Sequence, residues 1–345
     1  MKAKISPRIT LENRTKLEEV IPLSTPFILF IDPCNICNFK CKMCPNGSPK
    51  IIKQTNRIQT RMDFGLYRRI IDDLEEFDKP LKVLRMYKEG EPLLNKHFES
   101  MVRYAKDKNI ANSIDTTTNG YLLSSSRTKS IIDSGIDKIN ISVSGMSDEQ
   151  FFVNSIVRLS FKKYVENITN LYNSKKDCEI VIKIIGDYLT SNEKNLFYET
   201  FGNICDKIFI ENMSPCWTDF DVEKHAKIKI SQTKGIYNNE LTNVNVCPYI
   251  FYSMAVNSDG TVSLCFLDWN RKLIIGDVRK QSIKEIWNSD ILYNYQMNNL
   301  NGKRKDDKIC KNCGQLIYGM PDNIDPYVKD LKEKLSSSHI SYRLK

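Results

Sequence analysis

Six segments rich in apolar and β-branched residues alternate with amphipathic helical segments between residues 26 and 212. In chain order these segments read PFILFI, LKVLRMY, NSIDTTT, DKINISVS, EIVIKII and DKIFIEN. Strands that are separated by helices run parallel in one sheet, and the helices pack on its outer side. Eight such units close a full barrel, so six predict an α/β chain with an incomplete (β/α)6 barrel.

The pattern changes after residue 217, where a long polar connection begins. It leads to YSMAVNSDGTVSLCFLD, residues 252–268, in which alternating apolar residues flank an Asp-Gly pair. This arrangement predicts a β-hairpin, and we expect it to belong to a small α+β domain. The predicted divisions are an N-terminal extension, the barrel, a linker with the second domain, and a C-terminal helix with a polar tail, at residues 1–24, 25–217, 218–325 and 326–345.

The charge of the chain gives only a weak indication of its partners. Fifty-one basic and 42 acidic residues give a net charge of +9, which is spread along the chain. A diffuse excess of this kind does not indicate nucleic-acid binding, but it suits an acidic protein partner or a phosphorylated substrate. The sequence also lacks a membrane-length apolar run and a signal-peptide core, so we expect a cytoplasmic protein that does not insert into membranes.

Eleven cysteines are the most informative part of the composition. Disulfides are rare in the cytoplasm, where clustered cysteines more often bind metal. Three cysteines stand alone, and two of them, Cys178 and Cys205, lie at strand entrances where a structural role is expected. The others form two groups, which are Cys34, Cys37, Cys41 and Cys44, and Cys247, Cys265, Cys310 and Cys313.

The first group directly follows the first predicted strand, in the stretch PCNICNFKCKMCPNG. Several thiolates on one short loop can bind zinc or an iron-sulfur cluster. A zinc site usually takes two cysteine pairs from separate segments, and closing it within this short span would be strained. An iron-sulfur cluster is therefore the preferred interpretation, with zinc as the alternative.

The spacing Cys37-x3-Cys41-x2-Cys44 resembles the motif of the radical S-adenosylmethionine (SAM) enzymes. The resemblance implies that these three thiolates bind a [4Fe-4S] cluster whose fourth iron binds SAM. It also implies that Met43 lies against the adenine of SAM. Cys34 should then stay off the cluster, because a fourth protein thiolate would occupy the iron that SAM requires.

Other segments resemble this family in the expected order. KEGEPLLN retains Gly90, Glu91 and Pro92 of a Gly-Gly-Glu-Pro segment that implies binding of the SAM amino group, although Glu89 replaces its first glycine. Asn119 follows the third strand, and the resemblance places Ser142 and Ser144 near the SAM ribose. Lys183 on the fifth strand is a candidate for the SAM carboxylate. In the alternative interpretation, Asn119-Gly120 is only a turn and the serines only satisfy backbone groups.

The second cysteine group resembles the C-terminal extension called SPASM or, in its shortened form, twitch. Four thiolates can saturate one [4Fe-4S] cluster, so we expect one auxiliary cluster on Cys247, Cys265, Cys310 and Cys313. Zinc on the same four ligands is the alternative. Trp287 in the same extension is expected to pack in the core, and the histidines His97, His225 and His339 match no ligand spacing.

The resemblance implies an enzyme that reductively cleaves SAM to a 5'-deoxyadenosyl radical, which takes hydrogen from a substrate carbon. We expect a small polar substrate, such as a sugar, a nucleotide sugar or a cyclitol, and oxidation of an alcohol with the auxiliary cluster as electron acceptor. An acidic flavodoxin or ferredoxin would supply electrons. Epimerisation with Cys216 as hydrogen donor, peptide modification and a non-enzymatic electron carrier are the alternatives.

Overall fold

The computed structural model describes residues 1–55, 57–230 and 233–343, and one ten-stranded sheet organises them. The strands are β1 (Lys4–Ile5), β2 (Ile28–Ile31), β3 (Val83–Arg85), β4 (Ile114–Thr118), β5 (Lys138–Val143), β6 (Glu179–Ile185), β7 (Lys207–Glu211), β8 (Ser253–Val256), β9 (Thr261–Ser263) and β10 (Ile274–Asp277). Their order across the sheet is β1-β7-β6-β5-β4-β3-β2-β8-β9-β10.

The α-helices cover the sheet and fill most of the crossovers between its parallel strands. They are α1 (Leu17–Val20), α2 (Pro49–Lys53), α3 (Phe64–Asp73), α4 (Phe98–Asp107), α5 (Ser125–Asp133), α6 (Asp148–Ser155), α7 (Phe161–Ser174), α8 (Ser191–Phe201), α9 (Val222–Ala226), α10 (Ile283–Trp287), α11 (Asp290–Leu300), α12 (Gln315–Tyr318) and α13 (Val328–Arg343). Side-chain caps fix several of their starts, and α8 begins with a capping box between Thr190 and Glu193.

The six predicted strands form β2 to β7, and every neighbouring pair among them is parallel. The helices α3, α4, α5, α7 and α8 follow or precede these strands and bury their apolar faces against them. The prediction of a partial α/β barrel is confirmed. Because parallel strands end at one edge, the loops that follow β2 to β7 converge there.

The two edges of this parallel sheet are extended by segments from outside the barrel. At one edge β1 runs parallel to β7, with Lys4 opposite Lys207. At the other edge β8 runs parallel to β2 and continues into the predicted hairpin, in which Val256 lies opposite Val262. The hairpin is therefore joined to the barrel by backbone hydrogen bonds.

Several lone residues take the structural positions that the sequence indicates. Cys178 and Cys205 are buried within the main hydrophobic core. Trp287 is also buried, and its Nε1 donates to the Leu23 carbonyl at 2.9 Å. Within the three described ranges of the chain, no helix combines the length and apolar character needed to cross a membrane.

Candidate functional site

A cavity of about 740 Å³, called the main cavity below, is lined by residues at and beyond the ends of the parallel strands. This volume lies in the range of small-molecule sites. The thiol-bearing residues Cys37, Cys41 and Cys44 line it. So do most other residues predicted as cofactor contacts or hydrogen donor, namely Met43, Gly90, Glu91, Asn119, Ser142, Ser144, Lys183 and Cys216. Pro92 is buried beside the cavity, at the start of a 3-10 turn, and does not line it.

The first cysteine loop, residues 34–47, is held by backbone contacts to itself and to the end of α6. Lys40 N donates to the Ser155 carbonyl at 2.7 Å, and Lys42 N donates to the Asn154 carbonyl at 3.1 Å. The loop closes where Gly47 approaches Cys41 so closely that a Cβ would lie 2.1 Å from the Cys41 carbonyl oxygen. These contacts fix the turn that presents the three thiols.

The thiols of the first cysteine loop lie close enough to affect one another electrostatically. Burial raises the pKa of Cys37, and the neighbouring Cys41 and Cys44 raise it further. Burial and Cys41 likewise raise the pKa of Cys44 to about 12, and Cys41 Sγ lies 3.3 Å from Ser155 Oγ. Burial disfavours the charged thiolate form, and a bound cation would offset this cost. The three thiols of this loop therefore fit an iron-sulfur cluster as its donor set. No three His, Cys, Asp or Glu side chains in the described ranges form a ready single-ion site.

Cys34 takes a different position from the other three cysteines. It is fully buried and does not line the main cavity. Its Sγ donates to the Ile36 carbonyl at 3.4 Å, and burial raises its pKa to about 11. The structure thus separates Cys34 from the group that faces the cavity.

Gly90 and Glu91 join the first cysteine loop to the loop after β4. A Cβ on Gly90 would lie 2.2 Å from the Cys34 carbonyl oxygen, so no side chain fits there. The buried Glu91 carboxylate accepts hydrogen bonds from Leu93 N at 3.1 Å, Thr118 Oγ1 at 2.7 Å and Asn119 N at 2.8 Å. A carboxylate accepts about four hydrogen bonds, so an acceptor position remains for an ammonium group.

The predicted SAM contacts on the next two strands lie near the same thiols. Asn119 Nδ2 donates to Asn38 Oδ1 at 2.8 Å and approaches Cys37 Sγ at 4.0 Å. Ser144 contacts Cys41, and its carbonyl accepts from Asn154 Nδ2 at 2.7 Å. Met43 packs against an apolar cluster that includes Met213. Asn119 and Ser144 therefore lie beside the thiols of the first cysteine loop, to which Met43 itself belongs.

Glu89, which departs from the expected glycine, is the centre of a buried ion cluster that the sequence did not indicate. Its carboxylate contacts Arg57 Nη1 at 3.0 Å, Lys88 Nζ at 2.5 Å and Arg271 Nη1. Burial alone would raise the pKa of Glu89, but these cations hold it below its usual value. We call these four residues the Glu89 cluster.

The Glu89 cluster links three parts of the chain. Arg57 Nη2 donates to the Asn35 carbonyl at 3.2 Å, in the first cysteine loop. Lys88 Nζ donates to the Asp268 carbonyl at 2.9 Å, and Arg271 belongs to the same C-terminal segment. The cluster therefore connects the first cysteine loop and the loop after β3 with the C-terminal region.

Lys183, the candidate for the SAM carboxylate, forms an ion pair with Glu211 at 2.5 Å. Glu211 also lies 3.5 Å from Arg8 Nε, and Arg8 Nη1 donates to the Tyr87 hydroxyl at 3.3 Å. Arg8, Tyr87 and Glu211 line the main cavity with Lys183. Sequence reasoning missed these three because each is an ordinary polar residue outside any motif.

The C-terminal cysteines, Cys247, Cys265, Cys310 and Cys313, come together from three segments. Burial raises the pKa of Cys247 to about 12, with further contributions from Cys313 and Cys310. Burial also raises the pKa of Cys265, and here Cys247 and Cys313 contribute. This four-thiol donor set fits one fully ligated iron-sulfur cluster.

Cys216 lies between the main cavity and the C-terminal cysteines. It lines the cavity while being largely buried. Burial raises its pKa, and the next largest contribution comes from Cys313. The neighbouring Pro215 carbonyl oxygen would lie 2.2 Å from a Cβ on Gly314, which shows how closely the two segments pack.

Two family models match separate parts of the chain. One, described as the radical SAM superfamily, matches residues 31–190, which include the first cysteine loop and β2 to β6. The other, SPASM, described as an iron-sulfur cluster-binding domain, matches residues 247–314 and thus all four C-terminal cysteines. This description favours an iron-sulfur cluster over zinc at the C-terminal cysteines.

Relatives with known names cover most of the chain at low identity. The tungsten-containing aldehyde ferredoxin oxidoreductase cofactor-modifying protein of Pyrococcus furiosus is 24% identical over 298 residues, covering 76% of this chain and 81% of the relative. The S-adenosyl-L-methionine-dependent 2-deoxy-scyllo-inosamine dehydrogenase of Niallia circulans is 22% identical over 293 residues. This comparison covers 84% of this chain and 93% of the relative.

A solved structure extends this similarity to the fold. The crystal structure of BtrN in complex with AdoMet and 2-DOIA has a TM-score of 0.55 and 20% identity, and covers 87% of this chain and 97% of that chain. Its architecture corresponds to the parallel partial barrel and the C-terminal hairpin described above. The chain thus has a radical SAM domain at residues 31–190 and a C-terminal SPASM domain at residues 247–314, with iron-sulfur clusters and S-adenosylmethionine as their cofactors.

Proposed function

We propose that this protein is a radical SAM dehydrogenase that oxidises an alcohol of a small polar substrate, such as a sugar, a nucleotide sugar or a cyclitol. One observation carries the proposal. The main cavity is bounded by the first cysteine loop and also by Tyr249, Phe266 and Gln315, which lie close in sequence to three of the C-terminal cysteines. A substrate in this cavity would lie between the two cysteine groups.

Cys37, Cys41 and Cys44 would hold the cluster that binds SAM, and Cys247, Cys265, Cys310 and Cys313 would hold the auxiliary cluster. When bound, the first cluster would supply the electron for reductive cleavage of SAM to a radical that takes a hydrogen atom from the substrate carbon, and the auxiliary cluster would accept the second electron as the substrate hydroxyl loses its proton to a base. We further propose that an acidic flavodoxin or ferredoxin reduces the protein.

The residues of the chain would position the reactants and exclude water. Glu91 has an acceptor position for the SAM ammonium, and Asn119, Ser142 and Ser144 line the same part of the cavity. Buried Thr117 Oγ1 and Ser214 Oγ have no hydrogen-bond partner among the described residues and also belong to cavity-lining residues. Such atoms are suited to substrate hydroxyls, because an unpaired buried hydroxyl is costly.

The Niallia circulans relative supports the reaction type. Its name describes a dehydrogenase that depends on S-adenosyl-L-methionine and acts on 2-deoxy-scyllo-inosamine. The compared length covers 84% of this chain and 93% of that relative. An alcohol oxidation is therefore the favoured reaction for this chain.

Anaerobically reconstituted protein should contain about eight irons and about eight sulfides per chain, as expected for two [4Fe-4S] clusters. With a low-potential reductant it should convert SAM to methionine and 5'-deoxyadenosine, detected by chromatography. A content of about four irons would contradict the two-cluster proposal. A protein with both clusters that leaves SAM intact would contradict the enzyme and favour an electron carrier.

The position of Cys216 supports epimerisation as the second candidate, since a thiol in the cavity wall could return hydrogen to a substrate carbon. In that case Cys216→Ala should abolish product formation, while 5'-deoxyadenosine still appears. Cys178→Ala, which removes a thiol from the core away from the cavity, is the matched control. Unchanged product from Cys216→Ala, with a mass loss of two hydrogens, would exclude the epimerase.

A further inference from the structure

Three cations face the main cavity around one hydroxyl. Arg8, Arg85 and Lys183 all line the cavity. The Tyr87 hydroxyl accepts from Arg8 Nη1 at 3.3 Å and from Arg85 Nη1 at 2.9 Å. We call Arg8, Arg85, Lys183 and Tyr87 the basic group.

Two carboxylates lie beside these three cations. Glu211 lies 2.5 Å from Lys183 Nζ and 3.5 Å from Arg8 Nε, so one carboxylate serves two cations. Asp115 lies 3.8 Å from Arg85 Nε, which is at the limit of an ion pair, and it does not line the cavity. The basic group therefore keeps an excess of positive charge towards the cavity.

The other charged residues of the cavity wall are largely engaged elsewhere. Arg14 pairs with Asp322 at 3.0 Å, and Lys88 belongs to the Glu89 cluster. Lys82 Nζ lies 3.6 Å from the centre of the Phe27 ring. Glu91 is held by amide and hydroxyl donors. The positive excess is thus concentrated at the basic group.

The basic group also retains unused hydrogen-bond donors. Arg85 Nε is buried without a hydrogen-bond partner among the described residues. Tyr87 accepts from two guanidinium groups, and no described residue accepts from its hydroxyl, so its own hydrogen is free to donate. The side chains of Arg8, Arg85 and Lys183 are 22%, 17% and 16% exposed, so bound anions would be shielded from water.

We propose that the substrate carries an anionic group, a phosphate or a carboxylate, that is bound by Arg8, Arg85, Lys183 and Tyr87. In this proposal Lys183 serves the substrate instead of the SAM carboxylate. This inference rests on the proposed function in one respect, namely that the main cavity is the substrate site. Guanidinium groups bind both anions through paired hydrogen bonds. The same charges would repel a substrate amine, so sugar phosphates, nucleotide sugars and sugar acids are favoured over aminocyclitols.

Matched sugars test the inference without requiring turnover. The probes are glucose 1-phosphate, glucuronate, glucose and glucosamine, added to the reconstituted full chain with saturating SAM and no reductant. Calorimetry should give a Kd at least about ten-fold lower for an anionic probe than for glucose, since charge-assisted hydrogen bonds contribute this much. The two anionic probes distinguish phosphate from carboxylate.

Variants of the basic group test whether these residues cause the preference for anionic probes. Arg8→Gln and Arg85→Gln should each weaken binding of the anionic probe about ten-fold. Binding of glucose and SAM should stay unchanged, and this result would also show that the variants are folded. Lys82→Gln is the control, because this cation lines the cavity outside the basic group. It should change the Kd of the anionic probe less than about two-fold, because Lys82 is exposed and its charge is screened by water.

Several outcomes would overturn the inference. These are equal binding of glucose and the anionic probes, tighter binding of glucosamine, and no binding of any probe. Binding of the anionic probes in a parallel titration without SAM, but not with saturating SAM, would also overturn it, because the cations would then serve the SAM carboxylate. Failure of the proposed function is separate, since it would appear as no SAM cleavage by two-cluster protein that still prefers the anionic probes.

Discussion

Cys41→Ser should abolish reductive cleavage of SAM, whereas Cys34→Ser should leave it nearly unchanged. Cys41 lines the main cavity beside Cys37 and Cys44, while Cys34 is buried outside it. Changes in groups that only support metal ligands cost about 10- to 100-fold, so loss of a ligand should cost at least about 100-fold. Serine at position 34 can still donate to the Ile36 carbonyl, as the Cys34 thiol does at 3.4 Å.

The measurement is 5'-deoxyadenosine formation under anaerobic conditions with a chemical reductant, together with iron content. Cys41→Ser should retain about four irons, those of the auxiliary cluster, and Cys34→Ser about eight. Cys37→Ser and Cys44→Ser should behave like Cys41→Ser. Loss of both iron and SAM cleavage in Cys34→Ser would contradict the proposed ligand set.

The parallel barrel could be predicted because its signals are local. Each strand from β2 to β7 has its own run of apolar or β-branched residues, and each crossover between these strands has a helical segment. The motif residues were also found, because cysteine spacing and the Gly-Glu-Pro segment are contiguous in the sequence. The structure then brought most of them to one cavity, as loops after parallel strands require.

What the sequence did not indicate depends on contacts between distant segments. Strand β1 has only two residues, too few for a periodic signal, yet it leads the chain to Arg8 at the cavity. Glu211 lies at the end of β7 and belongs to no motif. Only the fold shows that Arg8 and Lys183 lie beside it. The partners of Glu89 include Arg271, 182 residues away, and no local pattern can reveal such a pair.

Glu89→Gln should lower the free energy of unfolding by about 3–5 kcal/mol, the usual cost of breaking a buried ion pair by removing one partner. The side chains of Glu89, Arg57 and Lys88 are at most 1% exposed, and that of Arg271 is 7% exposed. Glutamine keeps the shape of the side chain but removes the negative charge that three cations share. These cations would then be buried without their counter-charge and could not regain water.

Urea denaturation of anaerobic, reconstituted protein, followed by circular dichroism, measures this effect. The control is Glu166→Gln, which breaks an exposed pair with Lys163 at 3.3 Å and should cost at most about 1 kcal/mol. Equal losses in the two variants would contradict a structural role for the Glu89 cluster. In the double variant with Arg271→Gln, the loss should be smaller than the sum of the single losses, because one unpaired charge is removed.

Glu89→Gly tests whether Glu89 stabilises the protein through its three buried cations or is only a tolerated substitution in the family motif. Glycine is the residue that the motif carries, so if Glu89 were merely tolerated, the change should leave stability unchanged or improve it. In this chain glycine would remove the shared carboxylate and leave Arg57, Lys88 and Arg271 in place. We therefore expect Glu89→Gly to be at least as destabilising as Glu89→Gln, because in this protein the motif position and its three buried cations depend on one another.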